Sequence, residues 1–450
     1  MIERKIQTEI RQWLDRGKKA LLVTGARQIG KTYLIRSVLE DSGCDYMEFN
    51  FIENPELIPA FENARNTEEL LFRLGAVTSR PLPEKDAVIF VDEVQECKEF
   101  VTRIKFLVED GRYRYVLSGS LLGIELADLR SAPVGYMDIL DMYPVDLEEF
   151  FAALGLSEEV FAYVRECFWR RRAVSEEIHA RLMDAFYLYL LVGGMPEAVQ
   201  SYLDTNRMNA VTAIHRQIVR LYYADFSKYE KSEKLRLREI YDAIPSELQE
   251  KNKRFYINHI AGKAEYEDVK NDFLWLKNAG VAIPVYNVTE PKIPLKISEK
   301  RNLFKLFLSD VGLLTSQYEP NVRISVLNKS AGINNGGLFE NVVAQEFLTR
   351  QKTIYYYNNK KSGEVDFVTE LDGQVLPIEV KSGKDYKRHS ALTNLLYHQN
   401  YGIPEAFVLC DDNLRQKEKV TYLPIYMLFC IKDTQLENDS YPMDLSTVQL

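Results

Sequence analysis

Eight consecutive residues, Gly25-Ala26-Arg27-Gln28-Ile29-Gly30-Lys31-Thr32, read G-x-x-x-x-G-K-[ST]. Glycine at both ends lets the backbone approach an anion, and successive N–H groups can then converge on one phosphate. In that frame Lys31 bridges the β- and γ-phosphates and the Thr32 hydroxyl takes one position on Mg²⁺. Asp92 and Glu93 supply the other half of such a site. They end the apolar run Val88-Ile89-Phe90-Val91, so Asp92 can bind Mg²⁺ through water while Glu93 orients the attacking water as a base. Ser118 or Ser120, after Tyr115-Val116-Leu117, would reach the γ-phosphate or that water. Arg112, Arg114 and Arg130 flank the region. One of them could act as an arginine finger, in cis or toward a neighbouring copy in a homo-oligomer.

A second constellation lies far along the chain. Asp366 is followed thirteen residues later by Glu379, and Lys381 comes two residues after that. Residues two apart share a strand face, and the hairpin turn Leu371-Asp372-Gly373-Gln374 folds Asp366 beside them. Asp366 and Glu379 could hold a Mg²⁺ that polarises a phosphodiester, with Lys381 activating water and Glu340 completing the set from the preceding helix.

Alternating strands and helices must position these groups. The apolar Ala20-Leu21-Leu22-Val23-Thr24 delivers the phosphate loop, and a helix leaves it at Tyr33. With strands expected at 45–51, 86–93 and 115–120, the first part is an α/β, doubly wound parallel sheet with its ligand off the carboxyl ends. Ile6, Ile10, Trp13 and Leu14 give residues 1–19 the pattern of a helix packed beside it. Residues 157–231 read as helical, broken at Gly193-Gly194-Met195-Pro196. The next segment runs helix, turn, helix and β-wing, the order of a winged helix. Its Lys251, Lys253, Arg254, Lys292 and Lys296 would meet DNA phosphates. The same order also serves as a spacer that docks a protein partner. Gln399, Lys384, Lys387 and Arg388 are further backbone contacts to look for near the second constellation. The expected division is 1–155, 156–234, 235–318, 319–435 and a tail at 436–450.

Composition narrows the classes. A net charge of −9 over 450 residues argues against indiscriminate coating of nucleic acid. Between residues 251 and 310, however, eleven Lys and Arg face seven Asp and Glu, so any nucleic-acid surface is to be sought there, the alternative being a solvated charged face. Five cysteines without a C-x-x-C pair support neither a disulfide framework nor zinc. With no leader-like segment and no apolar run of ~18 residues, the expectation is a cytoplasmic protein without membrane contact.

GARQIGKT, IFVDEVQ, LSGS, the segment Leu140-Asp141-Met142-Tyr143-Pro144-Val145-Asp146-Leu147-Glu148-Glu149-Phe150, and Gly193-Gly194-Met195-Pro196 together resemble an archaeal and bacterial AAA-type ATPase family. That family carries a C-terminal nuclease-like domain of uncharacterised role. The resemblance runs through nearly the whole chain and implies ATP and Mg²⁺ as cofactors and a helical lid. Where relatives carry a Gly-Arg pair, this chain has Val134-Gly135-Tyr136. Asp366, Glu379 and Lys381 resemble the three positions of the PD-(D/E)xK superfamily, which implies a restriction-endonuclease-like α/β domain. The expected function is therefore an ATPase whose nucleotide cycle gates action on DNA by that domain. The rivals are a nucleotide-switched module that docks a partner and a small-molecule kinase.

Overall fold

Ala20–Thr24 (β1) is apolar on both faces, and a strand of that kind has to be covered on both. In the computed structural model it pairs in parallel with β4 (Arg114–Gly119) and β5 (Met137–Asp141). With β2 (Tyr46–Asn50) and β3 (Val88–Asp92) these form a five-stranded, all-parallel sheet ordered β2-β3-β4-β1-β5. Leu21, Val23, Phe90 and Val116 face a core that includes Ile10 and Trp13 of the Ile6–Arg16 helix and Leu34 and Val38 of the Lys31–Asp41 helix. Leu22, Ile89, Val91 and Leu117 face the other core, with Phe61 and Phe100. Because all five strands run the same way, the loop after β1 and the ends of β3 and β4 lie along one edge, as expected for a ligand crevice. The described residues are 2–77, 82, 87–120, 135–229, 234–250, 252–261, 266–330, 334–359, 362–383 and 385–432. Arg130, Lys251, Lys384 and the 436–450 tail lie outside them.

The Tyr143-Pro144 segment is a junction. Asp146 caps the Leu147–Ala153 helix by accepting from Glu149 N, and the Glu149 carboxylate accepts from Asp146 N. Arg4 Nε also donates to Glu149 at 2.9 Å, and Phe150 packs on Tyr189 with ring centroids 5.0 Å apart. The acids of this motif thus tie the N-terminal segment to the sheet and to the long Glu176–Val192 helix. The expected helical region follows as Glu158–Trp169, Glu176–Val192, Pro196–Thr205 and Met208–Tyr229.

The remaining strands build one mixed sheet of eight. They are β6 (Ala282–Val288), β7 (Glu299–Leu308), β8 (Ile354–Asn359), β9 (Gly363–Leu371), β10 (Gln374–Val380), β11 (Ala406–Cys410), β12 (Arg415–Lys417) and β13 (Val420–Pro424). Their order is β12-β13-β11-β10-β9-β8-β6-β7. The β6–β7 hairpin, expected as the wing of a winged helix, is not a free wing. Tyr286, Asn287 and Val288 pair in parallel with Tyr355, Tyr356 and Tyr357, so the hairpin forms the β7 edge of the sheet that also carries β9 and β10. Gln399, expected on a helix, lies in the turn after Ser390–Leu396.

One helix locks this sheet to the rest. Gly336–Thr349 is buried on nearly every face, its polar side chains included. Asn341 accepts from Leu308 N at 2.9 Å and donates to the Leu308 carbonyl at 3.0 Å, standing in for a strand partner. Gln345 accepts from Val311 N and donates to Tyr189 Oη. Glu346 accepts from Leu147 N at 2.7 Å, the first residue of the capped helix. Each buried polar group therefore has a partner, the condition for burying it at modest cost.

Candidate functional site

The phosphate loop holds its shape through glycine. Gly25 has φ 144°, and a Cβ there would sit 2.2 Å from the Met142 carbonyl oxygen, so no side chain fits where the loop passes the end of β5. Gly30, also at positive φ, starts the Lys31–Asp41 helix. Lys31 is only 7% exposed, and its Nζ donates back to the carbonyls of Gly25 (2.9 Å) and Ala26 (2.7 Å). Burial pulls its pKa down to about 8. Its charge rests on neutral carbonyls of its own loop, which a phosphate can replace without breaking an ion pair.

Thr32 Oγ1 stands 3.0 Å from both carboxylate oxygens of Asp92. Asp92 also accepts from Asn50 Nδ2 at 3.0 Å and from Ser118 Oγ. Sequence reasoning missed Asn50, whose only signal was its place at the end of β2. Ser118, which with Ser120 was expected to reach the γ-phosphate or the attacking water, is fully buried and donates to Asp92. Thr32 and Asp92 offer the hard oxygen donors that suit Mg²⁺, so these two would hold it, with the loop amides and Lys31 on the phosphates.

Glu93 takes φ 52°, the left-handed region, which redirects it from the strand's alternation. Gln95 Nε2 donates to it, and Ser120 Oγ lies 3.5 Å away. Arg27 Nε lies 3.4 Å from Ser120 Oγ, and its Nη1 pairs with Asp225 of the Met208–Tyr229 helix at 2.7 Å. Gly280, at φ +72°, carries no Cβ against Ala26; one built there would lie 3.2 Å from Ala26 N. The loop therefore touches both the helical region and the turn entering β6. Beside it, a cavity of about 360 Å³ is lined by Ile2, Gln28, Ile29, Gly30, Tyr33, Met142 and Pro196. Its walls suit a flat, largely apolar ring system. Arg112 is paired with Asp110, and Arg114 donates to the Leu14 carbonyl, so both point their charge elsewhere.

The second constellation assembles as its spacing predicts. Lys381 Nζ lies 2.6 Å from Glu379 Oε1, and Asp366 Oδ2 accepts from Val380 N at 2.8 Å. The turn that joins their strands has Asp372 and Gly373 at positive φ, as a two-residue hairpin requires. Glu340 is fully buried beside them. Two lysines the motif does not include complete the cluster. Lys253 Nζ pairs with Glu340. Lys305, fully buried on β7, lies 2.8 Å from Glu364, 3.4 Å from Glu340 and 3.8 Å from Asp366. Its signal was a lysine inside the apolar run Leu303-Phe304-Lys305-Leu306-Phe307. Burial pushes the Asp366 carboxyl up, but Lys305, Lys253 and Lys381 together hold it below its ordinary value. Burial, with Asp366 next to it, lifts Glu379 to about 8. Among the described residues no group of three or more His, Cys, Asp and Glu is placed to hold a metal ion. Nor is any described helix long and apolar enough to cross a membrane.

Residues 17–151 match the family described as AAA domain. Residues 183–321 and 335–428 match two families described as domains of unknown function, DUF8612 and DUF4143. The first of these takes in β6 and β7 and the second takes in β8–β13, although one sheet joins them. None of the curated proteins matches the chain. Among solved structures, it is similar to the Walker-type ATPase PABY2304 of Pyrococcus abyssi at 15% identity, covering 70% of this chain and 96% of that one, with TM-score 0.41. It is also similar to AMPPCP-bound DnaA from Aquifex aeolicus (9% identity, 62% and 89% covered, TM-score 0.30). Cdc6p from Pyrobaculum aerophilum is a third (13% identity, 73% and 96% covered, TM-score 0.25). The chain thus carries an AAA-type P-loop domain, followed by two domains of unknown function.

Proposed function

We propose that the protein binds and hydrolyses ATP at the phosphate loop and uses the nucleotide state to move its helical region and eight-stranded unit on nucleic acid. One observation carries the ATPase reading: Thr32 and Asp92 share a hydrogen bond at the mouth of the loop, with Glu93 turned out of line beside them. Water held by Glu93 attacks the γ-phosphorus, Glu93 accepts the water's proton, and the bond to the bridging oxygen breaks to release ADP. Mg²⁺ on Thr32 and Asp92 would neutralise charge on the phosphates. The cavity lined by Ile2, Tyr33, Met142 and Pro196 takes the base.

Arg27 and Ala26 give the cycle its outlet, because a loop that closes on phosphate pulls on Asp225 and on Gly280. The nucleic-acid reading rests on a cleft of about 810 Å³ lined by Arg254, Tyr256, Tyr266 and Lys300, and by Lys270 and Arg301, which pair with Glu267 and Glu299 of the same lining. Basic groups with interleaved aromatic rings suit a single strand, whose bases can stack while its phosphates are neutralised. Cleavage by Asp366, Glu379 and Lys381 is not part of this proposal, since Lys305 and Lys253 already neutralise that cluster. The test measures ATP turnover and fluorescent single-strand oligonucleotide binding across salt concentrations. Turnover lost in Glu93→Gln, and binding weakened in Arg254→Ala with Lys300→Ala, are the expected results. Oligonucleotide binding unchanged in that double variant rejects the cleft.

A further inference from the structure

We infer that Lys305 is the resident cation of the C-terminal carboxylate cluster, so that Asp366, Glu379 and Glu340 take no divalent ion while β7 is in place. The residues a Mg²⁺ would need are present, but four of the six oxygens of Glu340, Asp366 and Glu379 already face ammonium groups. Both Glu340 oxygens face lysines, one Lys253 and the other Lys305. One Asp366 oxygen faces Lys305 and the other accepts the Val380 amide. Glu364 Oε1 faces Lys305, and Glu379 Oε1 faces Lys381. Within the cluster, Glu379 Oε2 is the buried carboxylate oxygen left without a partner. A divalent ion entering here would meet three ammonium groups on these carboxylates, whereas the Asp92 carboxylate at the nucleotide site accepts from neutral donors alone, which an ion can displace without facing a like charge.

Displacing Lys305 is also costly. It is fully buried, its strand is the edge of the eight-stranded sheet, and Asn341 clamps that strand at Leu308. A metal ion entering the cluster would have to displace a tethered ammonium that is fully buried where it sits. The cluster therefore pins the hairpin to the sheet, and it does not cleave phosphodiesters by metal-assisted attack. This inference stands whether or not the neighbouring cleft binds nucleic acid.

The probe is Mn²⁺, followed by electron paramagnetic resonance on the full chain carrying Asp92→Asn to silence the nucleotide site. That protein is expected to bind no Mn²⁺ tightly. Adding Lys305→Gln should create one site, with affinity raised by at least about tenfold, and Mn²⁺ should then raise its melting temperature. A tight Mn²⁺ in the Asp92→Asn protein that disappears on Asp366→Asn overturns the inference. That arm needs no Lys305 variant, so misfolding of Lys305→Gln does not leave the question open. Loss of ATP turnover in any of these proteins bears on the nucleotide site alone.

Discussion

The nucleotide site and the C-terminal cluster are built from the same residue types, and they differ in what each lysine faces. At the loop, Lys31 leans on the carbonyls of Gly25 and Ala26 while Asp92 and Glu93 are served by neutral donors. In the C-terminal cluster, Lys253, Lys305 and Lys381 each touch a carboxylate directly. The first arrangement keeps a positive and a negative charge available for a ligand. The second cancels them within the fold. Two sets of acids and lysines that look alike in a sequence can thus be one poised site and one satisfied one, and only the partners of each ammonium tell them apart.

The largest effect that would sharpen this contrast is at Glu93. Glu93→Gln should cut ATP turnover by ~10²–10⁴-fold with ATP still bound, read by phosphate release and a nucleotide-retention assay; undiminished turnover means another group is the base. Lys31→Ala should weaken ATP binding by about 1.5–3 kcal/mol, the scale of a hydrogen bond to a charged group, measured by calorimetry. Unchanged affinity would place the phosphates elsewhere. Asp225→Ala leaves Arg27 without its partner and should cost about 1–2 kcal/mol of stability. It should also remove nucleotide-dependent protection of the Met208–Tyr229 helix in hydrogen exchange, and persistence of that protection breaks the proposed outlet.

Two pH effects are smaller. Burial holds the Lys31 pKa down at about 8 before ATP binds, whereas phosphate contact favours the charged form. ATP affinity should therefore be lost as pH rises through about 8, by up to ~10-fold per unit; a flat profile up to pH 9 contradicts it. Glu346 has the opposite chemistry, a carboxyl that burial lifts from 4.5 to about 7. Its folded form prefers the proton, so its contribution to stability is present below about pH 4.5 and lost as pH rises through about 7. Glu346→Gln should reduce the fall in melting temperature between about pH 5 and 7, and an unaltered slope assigns that fall to other groups.

The nucleotide half was legible because its signals are local. A glycine-flanked loop between an apolar strand and a helix, and acids at the end of another apolar strand, specify their own geometry within a few residues. The hairpin that brings Asp366 to the β10 end carrying Glu379 was legible for the same reason, since Asp372-Gly373 forces the turn. Lys305 was not, because its meaning depends on β6 pairing with β8, whose paired residues stand 69 apart in sequence. A lysine in a basic segment reads as a solvated phosphate contact until tertiary pairing carries it inside. The Ser118–Asp92 contact was not legible for a related reason: a hydroxyl at a strand end is as able to hold a neighbouring carboxylate as a ligand, and it is the lateral pairing of β3 with β4 that brings the two together.

The Gly336–Thr349 helix carries a consequence for how such a chain can be cut. Glu340 sits in the C-terminal cluster, and Glu346, under two turns later, terminates the first amide of the Leu147–Ala153 helix. A truncation before residue 335 would strip Leu147 N, Val311 N and both backbone groups of Leu308 of their partners, take β8 from β6, and bare the apolar faces the helix covers. The AAA-type part is therefore not a detachable motor to which another cargo can be fused at that point. Exchange of the far end for a different domain would require a replacement helix with the same Asn, Gln and Glu at the same spacing.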